Sequence, residues 1–468
     1  MKTFAGRPPD PKWHGSARAL AIEVLRRVDA EEAYADLSLG AALDRSRLDP
    51  RDRAFATDLV YGTLRWRGRI DHLIEARVPR GTGKLPAAAR AVLRIGAYQI
   101  LFSRSVPARA AVDETVRAMH ALNLPHLTGF ANAVLRRLAR ERDELVYPDP
   151  RTDPVGYAAA FHAHPPWIVE RLFDQLGEDE AMHFLEADNA LPPLTLRVHR
   201  ARATRAEFLA RLSAAGIAAS PGRYAPEAVV LDARAPVVSL PGFEEGWFVV
   251  QDEASQLVGM LVGAEAGERA LDLCAAPGGK VSQLAEAVGP AGEVLAVDVH
   301  AGRLSLVESL CARLGLTNVR TIACDARGIG ALGLGAFDRV LVDAPCTGLG
   351  VLRRNPDARW RVKPDAPARL AGLQREILAA AIGALRPGGV LVYSVCTFTP
   401  EETVAVVGDL LAGHGEVVLE GAGKALGAGC GGDLAEVVSR EPCGEVLRTW
   451  PHRHGSDAFF AARFRRTG

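Results

Sequence analysis

Long apolar runs are missing from this chain. The longest stretch without Asp, Glu, Lys or Arg, residues 118–135, holds Asn123, Pro125, His126, Gly129 and Asn132, so it does not read as a membrane span. Residues 1–25 are polar and charged, with no apolar signal core. Paired cysteines are missing too. The seven thiols, at positions 274, 311, 324, 346, 396, 430 and 443, are odd in number and show no CxxC spacing. That excludes a disulfide framework and a cysteine metal site, and points to reduced thiols in a cytoplasmic protein. Net charge is also lacking: 56 basic side chains face 56 acidic ones, which taken over the whole chain disfavours a nucleic-acid partner. Lysine is scarce, at six of those 56 basic residues.

The neutrality is a sum over unlike segments. Residues 1–150 carry 25 basic and 18 acidic side chains, a surplus of seven, whereas residues 151–300 carry 11 and 21. A basic knot then follows at Arg353, Arg354, Arg359, Arg361 and Lys363, with Trp360 inside it. The arginine bias agrees with the Ala, Gly and Arg richness of the whole composition, although arginine also binds phosphate bidentately and stacks on bases.

With 468 residues and 48% hydrophobic content, the chain is a multidomain globular protein. Residues 1–15 form a tail. Residues 16–145 read as a bundle of six or seven helices, with Leu20, Val24, Leu25 and Val28, and Phe130, Val134, Leu135 and Leu138, at helical spacing. Prolines 148, 150, 154, 165 and 166 mark 146–165 as a linker. Residues 166–250 mix helices (166–175 and 205–215) with short strands and predict a small α+β domain. In 251–468, strand-like runs (270–274, 293–297, 319–323, 339–342, 389–394) alternate with helical stretches, which predicts an α/β domain with a mostly parallel, Rossmann-like sheet. Ala458–Arg463 is expected as an antiparallel edge strand, and the Gly-rich tract 421–432 as a flexible loop.

The first strand of that domain runs into Cys274, Ala275, Ala276, Pro277, Gly278, Gly279 and Lys280. Glycines there let a ligand approach the backbone, and the next helix offers free N–H groups. The second strand ends at Asp298, the position that takes ribose hydroxyls in doubly wound sheets. The third ends at Cys324-Asp325, where a carboxylate can accept from an adenine amino group. Gly279-Lys280 is followed by Val281, so no G-x-x-x-x-G-K-[ST] loop is present, and G-x-G-x-x-G is absent as well. A nucleoside without polyphosphate fits best, and S-adenosylmethionine is the obvious case.

The fourth strand runs into Asp343-Ala-Pro-Cys346-Thr-Gly348 and the fifth into Ser394-Val-Cys396-Thr397. Two thiols therefore reach the ligand-binding rim. Methylating C5 of cytosine gives them a purpose. C5 is a poor nucleophile until a thiolate adds at C6. Asp343 is placed to partner N3, and a second thiol can assist expulsion of the first.

At these residues the chain resembles the Nop/Sun family of RNA (cytosine-C5)-methyltransferases, on its bacterial Sun, or RsmB-type, branch. The resemblance rests on Leu271–Lys280, Asp298, Asp325, Asp343–Cys346 with Gly348, Cys396, the GWFVVQDEASQ stretch at 246–256 and Asp457–Phe460. The helical N-terminus resembles the NusB RNA-binding fold through Val106-Pro107 and FANAVLRR at 130–137. The 166–250 domain resembles the family's small RRM-like domain. The resemblance implies Cys396 as nucleophile and Cys346 as the thiol that aids product release. It implies residues 274–280, Asp298, Asp325 and Asp343 as contacts of bound S-adenosylmethionine. It also implies 16S rRNA as substrate, methylated at the position called cytosine 967 in reference numbering. One departure stands out: Thr403 occupies a place usually held by Asn after Pro-Glu-Glu, which bears on substrate positioning.

A cytosine edge is reached only in an unpaired or flipped-out base. Arg353, Arg354, Arg359, Trp360, Arg361 and Lys363 are the expected RNA contacts, and Arg65, Arg67 and Arg69 around Trp66 form a weaker cluster. No metal and no membrane are expected, and the chain should act as a monomer. Other readings stay open: C5 methylation of tRNA, DNA or another rRNA position, and an RNA-binding or antitermination factor with a retired methylase domain. In DNA C5 enzymes the Pro-Cys thiol is the nucleophile, which would promote Cys346 over Cys396.

Overall fold

The computed structural model describes residues 13, 15–78, 81–232, 236–427 and 434–467. The chain forms two compact units: residues 1–190 with 352–363, and residues 191–351 with 364–468. The first unit thus includes a twelve-residue segment that departs from the second and returns to it.

Unit one is helical. Its helices are α1 Ala17–Glu31, α2 Ala35–Arg45, α3 Pro50–Arg65, α4 Arg67–Glu75, α5 Ala87–Leu101, α6 Ala108–Ala121 and α7 Thr128–Arg140, followed by α8 Pro154–Phe161, α9 Pro166–Leu176 and α10 Glu178–Asn189. Ser16 and Asp49 cap α1 and α3 by accepting from Ala19 and Asp52 N–H groups. Leu59, Val60, Leu64, Ile70, Leu73, Ile95, Leu135 and Leu138 are buried in one core. The stretch read as a linker holds α8, because Asp153 caps it and Pro154 sits in its first turn, where a missing N–H costs nothing. Helix α9, assigned from sequence to the small domain, also lies within unit one.

Unit two begins with a four-stranded antiparallel sheet in the order β2-β3-β1-β4, built from β1 Leu194–Val198, β2 Ala219–Pro221, β3 Ala228–Leu231 and β4 Phe248–Val250, with helix α11 Arg205–Ala214. The helix is closed by a Thr204/Glu207 capping box. Phe208, Leu212, Leu196, Val229 and Phe248 form its small core.

A nine-stranded sheet follows. Its parallel part is β7-β6-β5-β8-β9, made of β5 Arg269–Asp272, β6 Glu293–Asp298, β7 Val319–Ala323, β8 Phe337–Asp343 and β9 Leu385–Val395. The accompanying helices are α12 Glu253–Val262, α13 Gly279–Val288, α14 Ala301–Leu314, α15 Ala366–Ala384 and α16 Val404–Gly413. Strand order runs one way from β5 through β6 to β7 and the other way through β8 to β9. The β5/β8 boundary is therefore a topological switch point, where doubly wound sheets hold ligands outside their carboxyl ends. The remaining strands are antiparallel: β10 Val417–Glu420, β11 Val438–Glu441, β12 Gly444–Arg448 and β13 Phe460–Arg466. Strand β13 is not an edge. It pairs with β9 along one side and with β12 and β10 on the other, as its fully buried Phe460, Ala461, Ala462 and Phe464 require. The start of the Gly-rich tract is a short helix, Ala422–Leu426. Its residues 428–433, including Cys430, lie outside the described residues, as do residues 1–12 of the tail.

Candidate functional site

Register places the strand ends side by side. Asp343 of β8 pairs with Ser394 of β9, Asp272 of β5 with Leu341 of β8, and Asp298 of β6 with Ala323 of β7. After β5 the chain turns through Cys274–Gly278 into α13. Ala275 N–H donates to Val297 O at 2.9 Å, fastening the turn across β6. Gly278 sits at φ +106°, and a Cβ there would lie 3.1 Å from the Val307 Cα. Only glycine fits that backbone. Asp298 is buried and accepts from His300 N–H at 2.9 Å. Asp325 is half exposed. Its two oxygens accept from Arg327, which holds the carboxyl down at about 2. An adenine amino group reaching Asp325 must use its remaining lone pairs.

Asp343 is held from two sides. Ser394 Oγ donates to one oxygen at 2.7 Å and Lys280 Nζ to the other at 2.7 Å. Lys280, expected as a contact of the methyl donor, thus also reaches the chemical end of the site. Behind them Asp272 is fully buried. Burial, with the charge of Asp343, pushes its carboxyl up to about 7. Burial likewise raises the Cys274 thiol, with help from Asp272.

The two expected thiols meet. Cys346 Sγ lies 3.4 Å from Cys396 Sγ. Cys346 is raised well above the ordinary thiol range, first by its hydrogen bond to Cys396 and then by burial, so it keeps its proton. Behind the pair is a polar cluster that the sequence reading missed. Thr347 and Thr397, each immediately after a cysteine, bring their hydroxyls to 2.8 Å from one another. Glu402, Thr399, Gln374 and Tyr393 complete the cluster. The repeated Cys-Thr dipeptide at both strand ends was the available signal. Thr403 is buried, with its hydroxyl donating to Thr399 O at 2.8 Å. Its hydroxyl therefore closes the turn that follows Cys396.

The basic knot is corrected. Arg359 has no exposed surface. Its guanidinium donates to Asp188 at 2.7 Å, to Asn189 at 2.9 Å and to the carbonyls of Ala163 and Arg65. Arg353 is buried, and its carbonyl accepts from Arg65 at 2.7 Å. Trp360 donates its indole N–H to Leu64 O, lies under Arg67, and fits where Gly68 has no side chain. Arg361 pairs with Asp357 at 3.3 Å and stacks on Tyr34. Within unit one these groups bind protein, so they are not available as a phosphate-binding face. Arg354 is only partly exposed, and Lys363 alone is exposed. The Arg65 to Arg69 cluster is likewise internal: Arg67 pairs with Asp29 and Asp71, and Arg69 lies over the rings of Trp66, Phe102, Tyr147 and Phe161.

Among the described residues, no group of three His, Cys, Asp or Glu side chains is arranged to hold a metal ion, and no helix is long and apolar enough to cross a membrane.

A doubly wound sheet with a glycine turn, acids at successive strand ends and a thiol pair beside them defines a methyltransferase of the Rossmann-like, S-adenosylmethionine-dependent class. The family description "16S rRNA methyltransferase RsmB/F" matches residues 260–465, "NusB family" matches 15–140, and the ferredoxin-like domain of RsmF/B-like methyltransferases matches 164–238. The chain is 41% identical to "Putative methyltransferase Rv1407" of Mycobacterium tuberculosis, over 98% of this chain and 97% of that protein. It is 40% identical to "Ribosomal RNA small subunit methyltransferase B" of Pseudomonas putida, over 84% of this chain and 88% of that protein. The crystal structure of PH0851 superimposes with a TM-score of 0.80 at 25% identity, covering 96% of this chain and 99% of that one. The chain belongs to the RsmB/F family of rRNA methyltransferases.

Proposed function

We propose that this enzyme methylates C5 of one unpaired cytosine in 16S rRNA, of the cytosine 967 type, through a covalent bond between Cys396 and C6. The observation that carries this reading is the pair of sulfurs 3.4 Å apart at adjacent strand ends, beside Asp343 with its Lys280 and Ser394 partners. A methylase acting on an amino group has no use for either thiol.

The residues fit S-adenosylmethionine. The backbone at Gly279, where a Cβ would find no neighbour nearer than 3.8 Å, and the acids Asp298, Asp325 and Asp343 suit a cationic nucleoside without phosphates, and residues 274–280 line the turn. When bound, that group supplies the methyl that C5 takes. The protein supplies the rest. Cys396, as thiolate, forms the S–C6 bond and drives the ring electrons towards N3, where the Lys280–Asp343 pair can hold a proton. This makes C5 an enamine carbon. After transfer, a water molecule takes the C5 proton, the electrons of that C–H bond form the C5–C6 double bond, and the S–C6 bond breaks to release Cys396. Cys346, which keeps its proton beside Cys396, can protonate the departing sulfur.

The test is a pair of substitutions with rRNA as substrate. Cys396→Ala should abolish methylation, and Cys346→Ala should accumulate a covalent RNA–protein adduct. An adduct that needs Cys346 instead reverses the assignment. Bisulfite sequencing of rRNA from a strain lacking the gene identifies the nucleotide. No cytosine losing its methyl group there would sink the rRNA reading.

A further inference from the structure

The mechanism uses two thiols but not the carboxylate buried behind them. Glu402 has no solvent exposure. One of its oxygens accepts from Thr347 N–H at 2.9 Å and from the Gln374 amide at 3.1 Å. The other accepts from the hydroxyls of Thr347 at 2.6 Å and Thr399 at 2.8 Å. A buried carboxylate with four donors is a fixed point, because withdrawing any donor exposes charge to an apolar surrounding.

Its donors come from both thiol turns. Thr347 follows Cys346 and bonds Glu402 through backbone and side chain. Thr399 lies three residues past Cys396. The Thr347 hydroxyl spends its proton on Glu402, so the 2.8 Å approach to Thr397, the neighbour of Cys396, is a bond that Thr397 donates. Gln374 ties the same carboxylate to Pro345 O at 2.9 Å, one residue before Cys346. Tyr393 lies 2.7 Å from the Glu402 carbonyl and 2.9 Å from Gln374 Oε1. Besides the contact of the two sulfurs and the backbone bonds from Gly350 N–H to Cys396 O and from Ala344 N–H to Ser394 O, the first turn is tied to the second through Glu402 and Thr347.

We propose that Glu402 is a positioning residue that clasps the Cys346 and Cys396 turns through Thr347 and Thr397 and so sets the separation of the two sulfurs. The proposal rests on the two-thiol reading above. Glu402 touches neither sulfur. Burial holds its carboxyl above the usual range in spite of its four donors.

The test uses the full-length protein. Glu402→Gln keeps the shape but places an NH2 against donors. Thr397→Val removes one hydroxyl, and Thr397→Ser restores it. Two readouts are taken on variants whose melting curves stay cooperative. The first is methyl transfer, where kcat should fall ~10- to 100-fold with KM for the donor little changed, the scale of a misplaced reacting group. The second is the rate at which diamide oxidises Cys346 and Cys396 to a disulfide, followed by peptide mass spectrometry. Two thiols lose two electrons and two protons, and the azo compound becomes the hydrazide. That rate should fall with kcat, and Thr397→Ser should recover most of both losses. If Glu402→Gln fails to fold, Thr397→Val carries the test. Unchanged kcat and unchanged disulfide rate in a folded variant overturn the proposal. A wild-type protein that methylates no cytosine overturns the underlying reading instead, since the disulfide rate is measured without RNA.

Discussion

The guanidinium of Arg359 donates to the carboxylate of Asp188 across 2.7 Å, and neither side chain has any solvent exposure. The most basic-looking segment of the sequence is thus a buried stitch. His164 joins it, 3.0 Å from the same carboxylate oxygen. Removing one member of a buried pair leaves the other charge uncompensated, typically at about 3–5 kcal/mol. Arg359→Ala should therefore lower the melting temperature of unit one sharply. Arg359→Lys should rescue little, because an ammonium cannot reproduce the fork to Asp188, Asn189 and the Ala163 carbonyl. A variant that melts with wild type would show the pair to be energetically idle.

RNA binding should then fall to other parts of unit one. Helix α7 exposes Arg136, Arg137 and Arg140. Removing a side chain that neutralises one phosphate reduces the salt dependence of RNA affinity by about one unit of slope. Arg136→Ala and Arg140→Ala should each flatten a plot of log affinity against log salt. A slope that survives both substitutions would move the RNA-binding face off this helix.

The glycine turn gives a sharper contrast. Gly278→Ala meets a positive φ of 106° and a backbone carbon at 3.1 Å, whereas the nearest atom to a Cβ at Gly279 is 3.8 Å away. The first substitution should cost about 1–2 kcal/mol of backbone strain and weaken S-adenosylmethionine binding at least roughly tenfold, an outcome that calorimetry reads directly. The Gly279→Ala protein should fold with wild-type stability. Equal effects at both positions would argue against the turn as the cradle.

The strand-end acids and both thiols were legible because their placement follows from local pattern alone. An apolar run followed by a turn residue puts the next side chain on the rim, whatever the rest of the chain does. Arg359 was misread because its partner, Asp188, lies 171 positions away, and no local rule couples the two. Strand β13 was taken for an edge because its alternation is weak. It is weak because both faces are buried, and what makes the strand interior is its pairing with β9 on one side and with β12 and β10 on the other. Glu402 was invisible for a related reason: a carboxylate in Pro-Glu-Glu reads as a solvated helix start until the Thr347 and Thr399 hydroxyls are seen to enclose it.

Two buried titratable groups should give the two units opposite responses to acid. In unit one, burial and then the charge of Arg359 push His164 down to about 4. Its unfolded form takes up a proton near 6.5, so between those values the unfolded chain binds more protons than the folded one, and stability is lost as pH falls from 6.5 towards 4. In unit two, Asp272 is raised to about 7. Between about 4 and 7 the folded form holds the extra proton, so this contribution is present at low pH and is lost as pH rises through 7. At full span the shifts correspond to roughly 3 kcal/mol for His164 and roughly 4 kcal/mol for Asp272. Hydrogen exchange on the intact protein at about pH 5 and about pH 8, which bracket the 6.5 of the unfolded histidine and the 7 of folded Asp272, resolves the two. Amides of α9 and α10 should open more readily on the acid side after correction for intrinsic rates, and amides of β5 and β8 more readily on the alkaline side. His164→Gln should remove the first dependence and Asp272→Asn the second. If both units follow the same sign of pH dependence in these variants, the two buried groups are not its source.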